Sequence, residues 1–523
     1  MMLRWPETRL PGVVLLVAGL ICLTPAFGMP TVDFLFPAGG QRGGAVAVAA
    51  GGHFPTWPVQ TWTDAPGLVF KPGESLGRFQ VEIATNVTTG PHLVRFYDAD
   101  GSSAPRLFMV GELPELNEPD SPEQTGGGIE VARLPETVNG RLRQPGETDT
   151  WLLTLAAGTE LRATVVAYAL DLPVAARLRL LDSRGRLLGE STNPPPRDPT
   201  LNCAIGEAGT YRLQVSPAET YVAEHPAFAP SDAAVYRLTL VTAGASGPGV
   251  RIGEGRVLVE GAPLPDRPYR LLVREAPPAE SPGILRPERP YPNLNLPCTI
   301  NGSIYPAGNQ DHYVFSAVGD ELYHFRLRAG SIGSPLVPVL RVLDGARQVL
   351  AESAPSLDPS LDWVAPTDGV YTLEVAEAQG GGGVGYAYQL DVTAPEPNLL
   401  ATAGEHTLRL RPGQSAAWNL AIRRPETYQG LLSVTAVGLP AGVQAAPMTI
   451  PPDVRQATAR FTVAADAPPA NQPFHITLLD VTANPPRVVP ARAPLRGKYA
   501  ATDDLALKDT DTFWLTVLPA EKP

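Results

Sequence analysis

Residues 338–353 read PVLRVLDGARQVLAES. Alone, the stretch fits either an amphipathic helix or a strand–turn–strand hairpin. Residues 175–191, AARLRLLDSRGRLLGES, carry the same pattern. Leu178, Arg179, Leu181, Asp182, Leu188, Glu190 and Ser191 recur as Leu340, Arg341, Leu343, Asp344, Leu350, Glu352 and Ser353. A long-range repeat defines the fold unit, so it is read before any local assignment. The earlier copy places Arg184-Gly185 at its centre, where a helix would lose stability and a tight turn would gain the φ > 0 it needs. The stretch therefore predicts two strands. Asp182 and Asp344 begin the turns, where an aspartate side chain accepts N–H groups from the backbone beyond it.

The repeat extends outward. LPETVNGRLRQPGETDTWLL (134–153) pairs with LPCTINGSIYPAGNQDHYVF (296–315). DPTLNCAIGEAGTYRLQV (198–215) pairs with DPSLDWVAPTDGVYTLEV (358–375), and VYRLTLVT (235–242) with AYQLDVTA (387–394). Trp151, Leu153 and Leu155 alternate with Leu152 and Thr154, and Tyr211, Leu213 and Val215 with Arg212 and Gln214. Period-two alternation marks strands with one buried face. About eight such strands per copy, with turn signals between them, describe a β-sandwich.

In order, these residues are Glu118-Pro119-Asp120-Ser121, Asn139-Gly140, Gly146 to Asp149 to Trp151, Pro173 to Asp182, and Gly209-Thr210-Tyr211. They resemble the bacterial pre-peptidase C-terminal (PPC) domain family. The second copy keeps Asn301-Gly302, Gly308, Asp311, Tyr313, Pro335, Asp344, Gly369 and Tyr371 but lacks the acidic start. Some PPC relatives that bind collagen hold calcium through that acidic start and the Asp before the aromatic strand. The resemblance therefore implies Ca²⁺ at Glu118, Asp120 and Asp149, although the family's usual Asn between Pro and Asp is missing. The alternative is that Asp149 and Asp311 accept backbone N–H groups in a turn.

Residues 30–54 give two strands, VDFLF and AVAVAA, around a Gly-rich turn at 39–44, ending in Gly51-Gly52-His53-Phe54. This resembles the opening of IPT/TIG immunoglobulin-like domains. Asp100-Gly101 reads as a hairpin turn. Phe54, Trp57 and Trp62 are candidates for a sugar-stacking platform, with core packing as the other use of such rings. Residues 397–519 alternate strands with Pro-Gly and Pro-Ala-Gly turns and resemble immunoglobulin-like modules of secreted bacterial enzymes. The fold expected is all-β, a multi-domain string of β-sandwiches. Its parts are a signal peptide (1–28), an IPT/TIG-like module (29–114), PPC-like sandwiches at 115–243 and 293–395, and an Ig-like module (396–523). The two sandwiches are joined by a short hairpin and Pro-rich linker (244–292).

The bulk numbers agree with strands. The 523 residues are too many for one core. With 50 glycines and 58 prolines, the chain is rich in residues that interrupt helices and suit turns, edges and linkers. Hydrophobic content of 44% supports packed interiors. A net charge of −12 argues against nucleic acid as a partner. Arg4 and Arg9, the apolar run VVLLVAGLICL (13–23) and Ala26-Phe27-Gly28 form a secretory signal pattern, with an uncleaved anchor as the alternative. Secreted, periplasmic or surface residence follows, with no membrane span after cleavage. Cys203 and Cys298 then remain. Export permits a bond between them, but burial as two small apolar residues is preferred.

The seven histidines fall in no metal-binding spacing. There is no GxSxG elbow, phosphate loop or dinucleotide fingerprint. The expectation is a non-catalytic exported protein that binds or scaffolds an extracellular protein or polysaccharide. The alternatives are an accessory protein docking substrates for a secreted hydrolase such as a peptidase, and a cryptic hydrolase.

Overall fold

The computed structural model describes residues 28–119, 127–192, 195–243, 250–253, 256–259, 271–273, 294–330, 334–354, 356–383, 386–393, 395–397, 399–425, 428–482 and 486–520. The signal pattern up to residue 27 and Asp120 lie outside them. The protein is a multi-domain β-sandwich chain; of the described residues, 54% are strand and 4% helix.

The repeated stretch is a hairpin in both copies. Strand Ala176–Leu181 pairs antiparallel with Leu187–Ser191, and Pro338–Leu343 with Val349–Glu352. Asp182 Oδ1 accepts N–H bonds from Arg184 and Arg186, each at 2.9 Å. Asp344 Oδ1 accepts from Ala346 and Gln348, at 2.9 and 2.8 Å. Gly185 takes φ 81°, as its sequence position suggests, while the second turn gives the same conformation to Arg347 at φ 62°.

The two copies share one strand order. In the first, a sheet runs Glu115–Asn117, Glu136–Arg141, Val235–Ala243, Glu160–Val166, Thr200–Ala204. In the second, the order is Leu271–Val273, Cys298–Ser303, Ala387–Val392, Glu321–Arg328, Ser360–Val364. Leu271–Val273 falls inside the Pro-rich stretch read as linker, and it pairs parallel with residues 299–301. Before it, Val250–Gly253 and Arg256–Val259 form the extra hairpin the sequence suggests.

The facing sheet centres on Asp149–Leu155 beside Gly209–Pro217 in the first copy, and on Gln310–Ala317 beside Gly369–Glu377 in the second. Trp151, Leu153, Leu155, Leu213 and Val215 point inward and are almost fully buried. Asp-Pro recurs because Asp198 accepts the N–H groups of Ala167 and Tyr168, at 3.0 and 3.1 Å, and Asp358 that of Ala329 at 2.6 Å. The copies have separate interiors. Cys203 is half-buried, Cys298 is buried, and both are free thiols.

The flanking modules are sandwiches too. The amino-terminal one packs Thr31–Phe36, Ala45–His53, Arg78–Ile83 and Leu68–Pro72 against a sheet that includes Gly90–Asp98 and Arg106–Gly111. Its Asp100-Gly101 turn closes as expected, with Asp98 Oδ1 accepting the Asp100 N–H at 2.9 Å.

The string closes on itself. The first copy's apolar cluster includes Phe36, Ala38, Leu93 and Leu107 from the amino-terminal module and Leu495, Ala500 and Leu505 from the carboxyl-terminal one. Those outer modules also touch each other. The Trp514 ring lies 5.8 Å from Trp62 and 5.1 Å from Tyr97, with the Arg95 guanidinium 5.4 Å over it.

Candidate functional site

The first copy gathers three carboxylates. Glu118 follows strand Glu115–Asn117 and is tied by its N–H to Asn139 O at 2.8 Å. Glu147 ends the tight turn that Gly146 closes at φ 78°, and its own carboxylate accepts the Gln144 N–H at 2.7 Å. Asp149 opens the next strand. One oxygen from each of the three lies within 4.8 Å of the others. Glu118 and Asp149 are buried, and Glu147 is half-buried.

Other groups orient the cluster. The Tyr236 hydroxyl donates to Asp149 Oδ2 at 2.6 Å and accepts from Trp151 Nε1 at 3.1 Å. Glu118 accepts the Arg141 N–H at 2.9 Å and pairs with the Arg143 guanidinium at 3.1 Å. Burial, with the neighbouring Glu118 and Glu147 charges, pushes the Asp149 carboxyl up to about 8. Burial likewise raises Glu118, against the pull of Arg141 and Arg143. A hard divalent cation takes clustered carboxylate oxygens of this kind, and its charge would reverse the repulsion that keeps Asp149 protonated. The donor set therefore fits Ca²⁺.

Of the residues expected from the sequence, Glu118 and Asp149 come together. Glu147 was missed, although the repeat marks it: the position equivalent to Glu147 is Asn309. In the second copy Tyr388 donates to Asp311 Oδ2 at 2.6 Å, and Asn309 Nδ2 donates to Asp311 Oδ1 at 3.3 Å. The buried Asp–Tyr pair thus belongs to the sandwich frame, and the extra carboxylates belong to the first copy.

The aromatic candidates do not form one open platform. Phe54 is 8% exposed and packs in the module's core, 5.5 Å from Trp57 and 6.2 Å from Phe96. Trp57 lies edge-on to Phe79, and its indole N–H donates to Gly73 O at 3.0 Å. Trp62 faces Trp514 of the carboxyl-terminal module. Large rings bury most of their area, and here they do so in a core and at a module joint.

A polar joint binds the modules. Asp171, in the left-handed region at φ 61°, belongs to the first copy. Its carboxylate accepts N–H bonds from Lys498, Tyr499 and Ala500 at 2.8, 2.7 and 3.1 Å. It also pairs with Arg106 of the amino-terminal module at 3.1 Å. The second copy is fastened by the buried Arg162–Glu377 pair at 2.7 Å and by Tyr386 donating to Glu160 at 2.9 Å.

No family model and no curated protein matches the chain. Among solved structures, it is similar to the pre-peptidase C-terminal domain of collagenase from Bacillus anthracis. That match has 21% identity over 21% of this chain and 98% of that one, with TM-score 0.18. It is also similar to Escherichia coli alpha-2-macroglobulin activated by porcine elastase, at 10% identity over 93% of this chain, with TM-score 0.17. A Salmonella alpha-2-macroglobulin mutant gives 12% identity over 95% of this chain, with TM-score 0.14. The matches span 53% of the Escherichia coli chain and 35% of the Salmonella chain.

Proposed function

We propose that this chain is an exported, non-catalytic binding or scaffolding protein, acting on a protein or polysaccharide outside the cytoplasm, with PPC-like sandwiches at its centre. The observation that carries the reading is the joint at Asp171, where one carboxylate is bonded to residues of two other modules. A polar joint of this kind fixes loops and faces on a rigid frame, which suits recognition. No helix of the described residues is long and apolar enough to cross a membrane.

Cross-linking followed by pull-down with the full chain, from envelope and culture medium, tests the role. Reproducible capture of one extracellular protein or polysaccharide is the expected result. Hydrolysis of protein or glycan by the purified chain, with no partner captured, overturns it.

In the same reading, Glu118, Glu147 and Asp149 hold one Ca²⁺. Calorimetry should show one site per chain, lost in Asp149→Ala and kept in Asp311→Ala. An absence of binding heat from the wild-type chain removes calcium from the account.

A further inference from the structure

A groove of about 440 Å³ lies where the amino-terminal module meets the first sandwich. Phe34 and Leu76 supply its apolar side. Gly51 makes room for that wall, since a Cβ there would stand 2.0 Å from the Phe34 ring. The lining also includes three arginines, Arg78, Arg141 and Arg143, and one acidic residue, Asp232. Arg141 is 7% exposed and stacks 3.9 Å over the Phe36 ring, so its position is fixed. Arg143 is oriented by Glu118 at 3.1 Å. Arg78 is exposed.

Three arginines converge here on a chain whose net charge is −12. The sandwich itself does not require two of them. At the equivalent positions the second copy has Ser303, on a strand of the same order and register, and Tyr305, just beyond that strand's end.

We propose that the groove binds the carboxyl-terminal end of a peptide whose last side chain is apolar. A guanidinium fork matches a carboxylate in two-point geometry. The volume lies within the range of small-ligand sites, roughly 300–1,000 Å³, which suits one or two residues rather than a polymer. The inference rests on the reading of the chain as a binding protein and names the ligand chemistry of one face.

The test uses the full chain and two probes, N-acetyl-Ala-Ala-Leu as the free acid and as the carboxamide, compared by calorimetry at low salt. The acid should bind about ten-fold tighter or more than the amide, the equivalent of one well-formed charged contact. Arg78→Gln and Arg143→Gln should each remove most of that difference. Arg143 also touches Glu118, so circular dichroism must show the variant folded, and exposed Arg78 supplies the independent variant. Equal binding of acid and amide, binding of neither, or an unchanged preference in Arg78→Gln overturns the proposal. If a partner is captured from envelope or medium equally by wild type and Arg78→Gln, the groove fails while the binding role stands.

Discussion

Asp149 is held where its charge is opposed three times, by burial, by Glu118 and by Glu147. Its carboxyl in the folded chain sits at about 8, above the ordinary 3.8. The folded state therefore keeps a proton that the unfolded state gives up. The stability from that proton is fully present below the ordinary value and is lost as pH rises toward 8. Melting in calcium chelator between pH 4 and 8 should show wild type losing stability relative to Asp149→Asn. Parallel curves would contradict the assignment. Calcium added near pH 7 should release a proton, seen as a buffer-dependent binding heat. Asp171 is held by contacts between modules, three backbone N–H groups and the Arg106 guanidinium. Asn tolerates the left-handed backbone, so Asp171→Asn isolates the charge. It should cost about 1.5–3 kcal/mol in denaturant melts, with the Trp62–Trp514 contact loosening in fluorescence.

Among elements, the paired hairpins show how one turn is built from two sequences. Asp182 and Asp344 organise both loops in the same way. The left-handed position is Gly185 in one and Arg347 in the other. A side chain there costs about 1–2 kcal/mol, partly offset by the greater freedom glycine loses on folding. Arg347→Gly should therefore stabilise the second sandwich by about 0.5–1 kcal/mol, read as a later urea midpoint. A lower midpoint would show that contacts of the Arg347 side chain outweigh the backbone term. The sequence makes the hairpin legible because Asp and alternating leucines are local signals. The second turn's left-handed residue carries no such local signal, since it is Arg347 and not a glycine. The linker reading fails in part for a related reason. Leu271–Val273 is too short and too proline-flanked to register alone, and becomes a strand only by pairing with 299–301.

For the whole molecule, the decisive contacts cross between modules. Arg162 and Glu377 are 5% and 0% exposed at their side chains and bridge the two sandwiches. A buried pair need not exceed its desolvation cost, but removing one partner leaves the other charge stranded, at about 3–5 kcal/mol. Glu377→Ala should therefore uncouple the sandwiches, with calorimetric melting splitting into separate transitions. Arg162→Met together with Glu377→Leu should restore much of the coupling, since an apolar pair leaves no stranded charge. Unfolding as a single unchanged transition in Glu377→Ala would show that this pair does not join the sandwiches.

The amino-acid sequence by itself determined the strand class, the repeated sandwich and its hairpin. It also determined the recurrence of Asp149 as Asp311, while their pairing with Tyr236 and Tyr388 came from the fold. Each is written in alternation, turn residues or recurrence, which act over a few neighbouring positions or repeat along the chain. Only the tertiary structure decided that Glu147 joins Glu118 and Asp149, that Phe54 and Trp62 are used in packing, and that Asp171 meets a loop 327 residues away. No periodicity encodes such meetings. They follow from which faces the modules bury against one another, and a carboxylate acquires its partners and its proton affinity only when that burial is complete.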